Sequence, residues 1–599
     1  MRTSLLATAL LVALAGCQPA SGPTAQATQS TAAISAADAA FADFSKRVLE
    51  QWMALSPVAA TQIGDHRFDS QLDDVSAEGI AATARATQTL LDELTAIDTA
   101  SLSRDNQVDA AILRNQLEGE LFRSQTLADW QWDPQFYSNL AGSAIYGLMA
   151  REFAPLPERL RAATARMEQV PRVLAAARAN LDPARVPKIH AETVARQNRG
   201  ILSLVATFIT PNLDQLQGED RARLDKAIAG LEAAVAEHQT WLDTELVPTA
   251  AGDFRIGAAL YDAKLRFALN SELSREEIGQ RARAEITRVR AQMYGIARTV
   301  LAGNTGAPAL PESPTPEQQQ AAIEAALELA YAEKPARDAV VADAKAALDV
   351  ATGFVDKHDL MTLPDAPVEI ILMPEFQRGV AVAYCDSPGP LDKHLKTFYA
   401  VSPIPDEWNE KQVDSFLREY NSRMIHLLSI HEGTPGHYLE GWHSAKHPSM
   451  LRAVLRSGLF AEGWAVYTER MMQQEGYMDR DPLFQLVQLK FYLRAVANAI
   501  LDQGVHVEGW SREQAMELMV RDTFQQESEA AGKWVRAQLS SAQLPTYFVG
   551  AQEHFDTRAA AEKAWGKDFD LKTYHDRMLS FGAPPVRYAR QLLLDQPIQ

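Results

Sequence analysis

From Phe41 to about Val300, apolar residues recur every three or four positions, with Ala, Arg and Glu filling much of the remainder. That period puts apolar side chains on one face of an α-helix, whereas a strand would need alternation. LRAATARMEQVPRVLAAARANL and LDKAIAGLEAAVAEHQTWLDTEL are typical stretches. Such a chain has to fold by packing helix on helix, and at 599 residues and 47% hydrophobic content it can bury a large core. The expected class is mainly α. No repeat of fixed period accompanies the pattern.

Two interruptions give the expected organisation. AGNTGAPALPESPTPEQQQ (302–320) gathers Gly and Pro before helical pattern resumes. It reads as a surface loop between an N-terminal helical lobe (38–301) and a second lobe (321–599), the two intertwined as one domain. PVEIILMPEFQRGVAVAYCDSP (367–388) carries two β-branched apolar runs around a polar turn, and LKTFYAVSP offers a third. A small antiparallel β-sheet is therefore expected, with an edge strand able to pair with an extended peptide.

The N-terminus, MRTSLLATALLVALAGCQPASG, places one Arg before an apolar run too short to span a bilayer. Leu14-Ala15-Gly16-Cys17 resembles the bacterial lipobox, which implies a signal peptide over 1–16 and lipidation of Cys17. Residues 17–37 then form a small, polar tether. Gln18 after the Cys resembles lipoproteins sent to the outer membrane, so the expected location is its periplasmic face. Lipidation would leave Cys385 as the single free thiol of the two Cys. A formal charge of -19, without a basic run, argues against a nucleic-acid partner.

The chemistry concentrates in LLSIHEGTPGHYLEGW (427–442). His431 and Glu432 open it as in a zinc-peptidase helix, but the second His is His437, six residues on instead of four. On a regular helix those two side chains would diverge by about 240°. Pro435 cannot continue a helix, and Gly433 and Gly436 free the backbone around it. Either the chain bulges by two residues and returns His437 beside His431, or one helix ends at Gly433 and Pro435 opens the next. A rival pair, His443 and His447, has true helical spacing but no adjoining Glu, and reads as two solvent-facing residues at a helix end. For a third ligand, Glu440 is better suited to supporting His437 and Glu508 falls in a turn before Ser511. Glu462, heading EGWAVYTERMMQQ, is the choice, with Glu469 two turns on along the same face.

His431-Glu432-x-x-Pro435-Gly436-His437 followed by EGWAVYTE resembles domain-of-unknown-function family 885, a large bacterial family of zinc-metallopeptidase-like proteins distantly similar to the gluzincins. LSPVAATQIGDHRFDSQLDDVS (55–76), LDQGVHVEGWSREQAMELM and FDLKTYHDRMLSFGAPP resemble its other signatures, so most of the chain is covered. The resemblance implies a two-lobed helical metallopeptidase-like fold and Zn2+ on His431, His437 and Glu462. The family commonly has Arg-Tyr, three residues, then Pro-Gly-Gln and a Tyr. Arg536, Gln543 and Tyr547 match, while Ala537, Ser541 and Ala542 depart, which leaves the local turn open.

Zinc so held lowers the pKa of water toward about 7, and Glu432 is placed to take its proton. His506 and Tyr547 are the candidate oxyanion donors, with Asp502 one turn before His506 to orient it. Arg536 and Gln543 would bind substrate. The expected activity is zinc-dependent cleavage of short peptides in the cell envelope. A zinc esterase or lactonase and a tethered non-catalytic binding protein are the alternatives.

Overall fold

The computed structural model describes residues 35–365, 368–373, 383–406 and 408–599; Cys17 and nearly all of the tether lie outside them. Helices dominate, and their starts are chemically marked. Ser35 caps the first, Ala36–Leu55, by accepting from the Asp38 amide. Reciprocal capping boxes, Ser274 with Glu277 and Thr315 with Gln318, begin Arg275–Val300 and Pro316–Tyr331. Ser511 with Gln514 does the same after the bend that holds Glu508. Among the described residues no helix is long and apolar enough to cross a membrane.

Core packing divides the chain at a different place from the Gly/Pro-rich loop. One apolar core runs from Val58 to Leu246. A second begins at Tyr261 and continues to Leu593, taking in Ile278, Val289 and Met293 of the Arg275–Val300 helix. That helix packs along Pro482–His506, so 302–320 is a connection inside the second core, and the division falls near residue 250. The reason is the apolar face of Arg275–Val300, which composition near the loop could not reveal. The halves interlock, because Leu451 sits in a cluster with Phe41, Phe44 and Leu113. Beside it, buried Arg452 donates to Asp109 Oδ1 at 2.8 Å.

The sheet has three strands, β1 (Glu369–Leu372), β2 (Ala383–Asp386) and β3 (Phe398–Val401), in the order β1-β3-β2. It is mixed, not antiparallel throughout. β1 runs parallel to β3, and β2 antiparallel to it with Cys385 opposite Tyr399. The two runs around the polar turn therefore do not pair with each other. Tyr399, Ala400 and Val401 are almost wholly buried, while Glu369 and Leu372 at the ends of β1 are exposed. The most buried strand takes the central position, where both edges are covered. This leaves β2 at an edge, against the segment that carries Glu432.

Candidate metal centre

The helix Ser422–Leu428, capped by Asn421, widens into a π turn over Ser429–Gly433 that contains His431 and Glu432. The chain then leaves through Thr434 and a cis Pro435, and a new helix opens at His437 with Gly436 as its cap. The join is neither a bulge within one helix nor a helix opened by Pro435. The Gly436 amide donates back to Ile430 O at 2.9 Å. A Cβ on Gly436 would lie 2.0 Å from His431 O and 2.4 Å from Ile430 O, so the fold-back admits only glycine. The Trp464 indole donates to Pro435 O at 2.9 Å and pins the turn to the helix Gly458–Glu475. The outcome is that the His431 and His437 rings stand 4.8 Å apart and perpendicular.

Glu462 comes from the first turns of Gly458–Glu475. Its Oε2 lies 3.5 Å from His437 Nε2 and 3.8 Å from His431 Nε2, and one ligand atom from each of the three residues falls within 4.8 Å of the others. Donor atoms about 2 Å from a tetrahedral ion sit roughly 3.3 Å from one another, so the three residues are of the right type and are placed to converge on a divalent cation once the gaps between them close. The surroundings favour positive charge. Glu469, two turns along the same helix and fully buried, places Oε1 2.6 Å from His431 Nδ1. Burial alone would pull the pKa of His431 down; the Glu469 hydrogen bond and the Glu432, Glu469 and Glu462 charges overcome it and push it to about 9. For Glu462, burial acts upward, but His437, His431 and Arg456 leave it lowered.

Glu432 does not join the three ligand atoms. Its Oε2 accepts from the Cys385 amide of β2 at 2.9 Å, and burial raises its pKa. A carboxyl that is held by one oxygen beside the cluster, and made more basic than usual, is suited to taking and returning a proton.

Tyr547 opens the helix Thr546–Trp565, which crosses Gly458–Glu475 where Gly463 faces Gly550. A Cβ on Gly463 would lie 2.3 Å from the Gly550 carbonyl carbon, so this crossing fixes Tyr547 relative to Glu462. Burial, then the Glu462 charge, raises the pKa of the phenol, while Arg536 and Gln543 hydrogen-bond to it. Arg536 Nη2 also donates to Gln543 Oε1 at 2.9 Å. These three expected residues thus stand together beside Glu462. Ala542, where the family commonly has Gly, adopts φ +60°, the left-handed conformation that a glycine takes freely.

His506 is not brought to the cluster. It is buried, with Nε2 at 2.8 Å from both the Ala537 and Ser540 carbonyls. Nor does Asp502 orient it: its Oδ2 accepts from the Tyr261 hydroxyl at 2.7 Å and the Ala542 amide at 2.8 Å. Both residues brace the segment that carries Arg536, Gln543 and Tyr547. Glu440 likewise does not support His437. It accepts from Ser444 Oγ at 2.6 Å and pairs with Arg456. His443 is buried and bonds Thr362 O, and His447 accepts from the Ser449 amide, so neither is a solvent-facing residue.

Two residues of the site have roles that the sequence alone does not assign. Glu469 shares a helix face with Glu462, and the spacing of seven between them is its signal in the sequence. Arg456 is half-exposed but close enough to Cys385 and Glu462 to affect both. A lone Arg in LRSGLF carries no signal without the fold.

A family model described as a bacterial protein of unknown function, DUF885, matches residues 57–593. The chain belongs to the DUF885 family. A solved structure from Shewanella oneidensis, described as a candidate lipoprotein of unknown function, is 33% identical. It aligns over 92% of this chain and 99% of its own, with a TM-score of 0.80. A second, described as a candidate lipoprotein from Colwellia psychrerythraea, shares the fold at a TM-score of 0.75 with 18% identity, over 94% of this chain and 100% of its own. No curated protein matches the chain.

Proposed function

We propose that this DUF885 member is a zinc-dependent hydrolase that cleaves short peptides in the cell envelope. The observation that carries this reading is the convergence of His431, His437 and Glu462 from two elements, with Glu469 on the outer nitrogen of His431. Carboxylate-supported imidazole is the usual arrangement around a metal-ligating His. A bound zinc ion supplies a Lewis acid and lowers the pKa of water toward about 7.

The chain's own residues do the rest. Glu432, fixed through Oε2 by the Cys385 amide, accepts the water proton and returns it to the leaving amine. Tyr547 is the donor best placed to stabilise a developing oxyanion, because it lies beside Glu462 and is oriented by Arg536 and Gln543. Apart from the Cys385 amide, which Glu432 occupies, the outer edge of β2 in the described sheet is a main-chain surface next to Glu432 with which an extended substrate can pair. That pairing favours a peptide over a simple ester or lactone, which lacks the backbone to use it. The lipobox at Cys17, with relatives described as candidate lipoproteins, supports a lipid-anchored protein on the periplasmic face of the outer membrane.

Metal analysis of the purified mature protein, followed by a peptide-library digest read by mass spectrometry, tests the proposal. About one zinc per chain and cleavage that stops in Glu432→Gln, with zinc retained, is the expected result. A general base of this kind contributes about 10²–10⁴-fold. Turnover of esters but not peptides would move the assignment to an esterase, and turnover of neither would leave a binding protein.

A further inference from the structure

Between the first core and the cluster that joins Phe41 and Leu113 to Leu451 lies a cavity of about 410 Å³ that the hydrolytic machinery does not use. Its size falls in the range of small-ligand sites. Trp52, Trp130 and Phe136 contribute aromatic surface, and Leu113, Leu117 and Leu140 aliphatic surface. Against this apolar lining stand Asp73, Asp74, Glu120 and Asp129, with Arg123 as the lone cation. Arg123 itself is mostly exposed, and its Nε is 3.6 Å from Asp129. Asp73 accepts from the Val58 amide at 3.1 Å, Asp74 from the Ser76 amide at 3.1 Å and Glu120 from Gln116 at 2.8 Å, with Trp52 and Thr87 also bonding Glu120 and Lys264 acting on Asp129. Burial raises the pKa of Asp73, Glu120 and Asp129 alike. The lining holds four carboxylates against one guanidinium, and a cation entering the cavity offsets the cost of desolvating the negative charge left over. Aromatic faces add attraction for the same cation.

Two chain neighbours connect the cavity lining to the segments around the metal centre. Leu455 lines it, and the next residue, Arg456, pairs with Glu440 in the helix that opens at His437. On the other side, Lys264, which interacts with Asp129, donates to Ser541 Oγ at 2.8 Å, two residues from Gln543.

We infer that this cavity binds an organic cation on an apolar body, an ammonium or guanidinium flanked by hydrocarbon, and so takes the basic end of the peptide that the metal centre cleaves. The second half of this inference rests on the hydrolase reading. The first half does not, and the test keeps them apart.

Three indole probes of nearly equal shape, tryptamine, 3-ethylindole and indole-3-acetate, are titrated at pH 7.5 into the intact mature protein. Binding is followed by calorimetry. Tryptamine is expected to bind at least ten-fold more tightly than 3-ethylindole, and indole-3-acetate more weakly than either. Glu120→Gln and Asp129→Asn, each checked by circular dichroism, should each reduce tryptamine affinity several-fold while leaving 3-ethylindole unchanged. Equal affinity for the cationic and anionic probes in the wild-type protein overturns the assignment, whether or not the variants fold. Charge-selective binding in a protein that cleaves no peptide keeps the cation site and removes its role in catalysis. Cleavage without charge-selective binding keeps the hydrolase and removes the cation site.

Discussion

His431 Nδ1 and Glu469 Oε1 are 2.6 Å apart, and the Glu469 side chain has no exposed surface. Burial raises the pKa of Glu469 and the His431 imidazole acts against it; that imidazole turns its other nitrogen toward His437 and Glu462. The second oxygen of Glu469 has no hydrogen-bond partner, so the carboxylate is aimed at one task.

Glu469→Gln preserves shape and can still accept from Nδ1–H, but removes the charge. Partners of this kind are worth about 10–100-fold in metal affinity. The variant should therefore fold normally and bind zinc within that range more weakly in a competitive chelator titration. Unchanged affinity would mean that the pair serves packing and not the metal centre.

Asp502 gives a pH-dependent prediction. Burial raises its pKa to about 7, against the Tyr261 and Ala542 hydrogen bonds and the charges of Lys264 and Arg536, which act downward. In the unfolded chain the group titrates near 3.9. The folded state therefore holds the proton more tightly, so stability from this group is present below about pH 4 and is lost as pH rises to about 7. The full span is on the order of 4 kcal/mol. Asp502→Asn keeps the acceptor for both donors and cannot ionise. The melting temperature of the variant minus that of wild type should be more positive at pH 8 than at pH 5; a constant difference would show that Asp502 is charged throughout.

The lipobox prediction concerns residues outside the described structure. Cys17→Ser should abolish acylation and release the protein from membranes, as read by fractionation and mass spectrometry of the N-terminus. A variant still anchored through an N-terminal lipid would contradict the assignment. A second anchor has no source among the described helices.

Helical class was legible because a period of 3.6 recurs along most of the chain, and the capping pairs at Ser274, Thr315 and Ser511 mark their own helix starts. The candidate ligands His431, His437 and Glu462 were legible through the family resemblance, because the six-residue spacing alone left the site open. What failed was everything set by long-range packing. β3 enters between β1 and β2 because it is the most deeply buried strand, which alternation alone does not rank. His506 lies on a helix face that turns into the core and meets carbonyls of a segment 31 and 34 residues on. Arg456 gains meaning only from Glu440 and Glu462 beside it.

The Pro-Gly pair yields the sharpest test. Because Gly436 approaches the Ile430 and His431 carbonyls so closely, Gly436→Ala introduces a methyl group into 2.0 Å of space that is backbone on the other side. No rotamer relieves that contact; the fold-back itself has to open, and His437 moves with it. The expected result is loss of most zinc affinity and of turnover, since the His431 and His437 nitrogens no longer converge with Glu462. Deleting Pro435 and Gly436 creates His-Glu-x-x-His in sequence, but it does not restore the site. The helix that restarts at His437 would be drawn back by two residues, roughly 3 Å along its axis and 200° around it. The Pro435 carbonyl that accepts from Trp464 would also be gone. Gly441→Ala, in the same helix and with only Ser387 Oγ at 3.8 Å from the new Cβ, is the control and should keep both metal and activity. If Gly436→Ala matches that control in zinc content, the fold-back is not what brings the two histidines together.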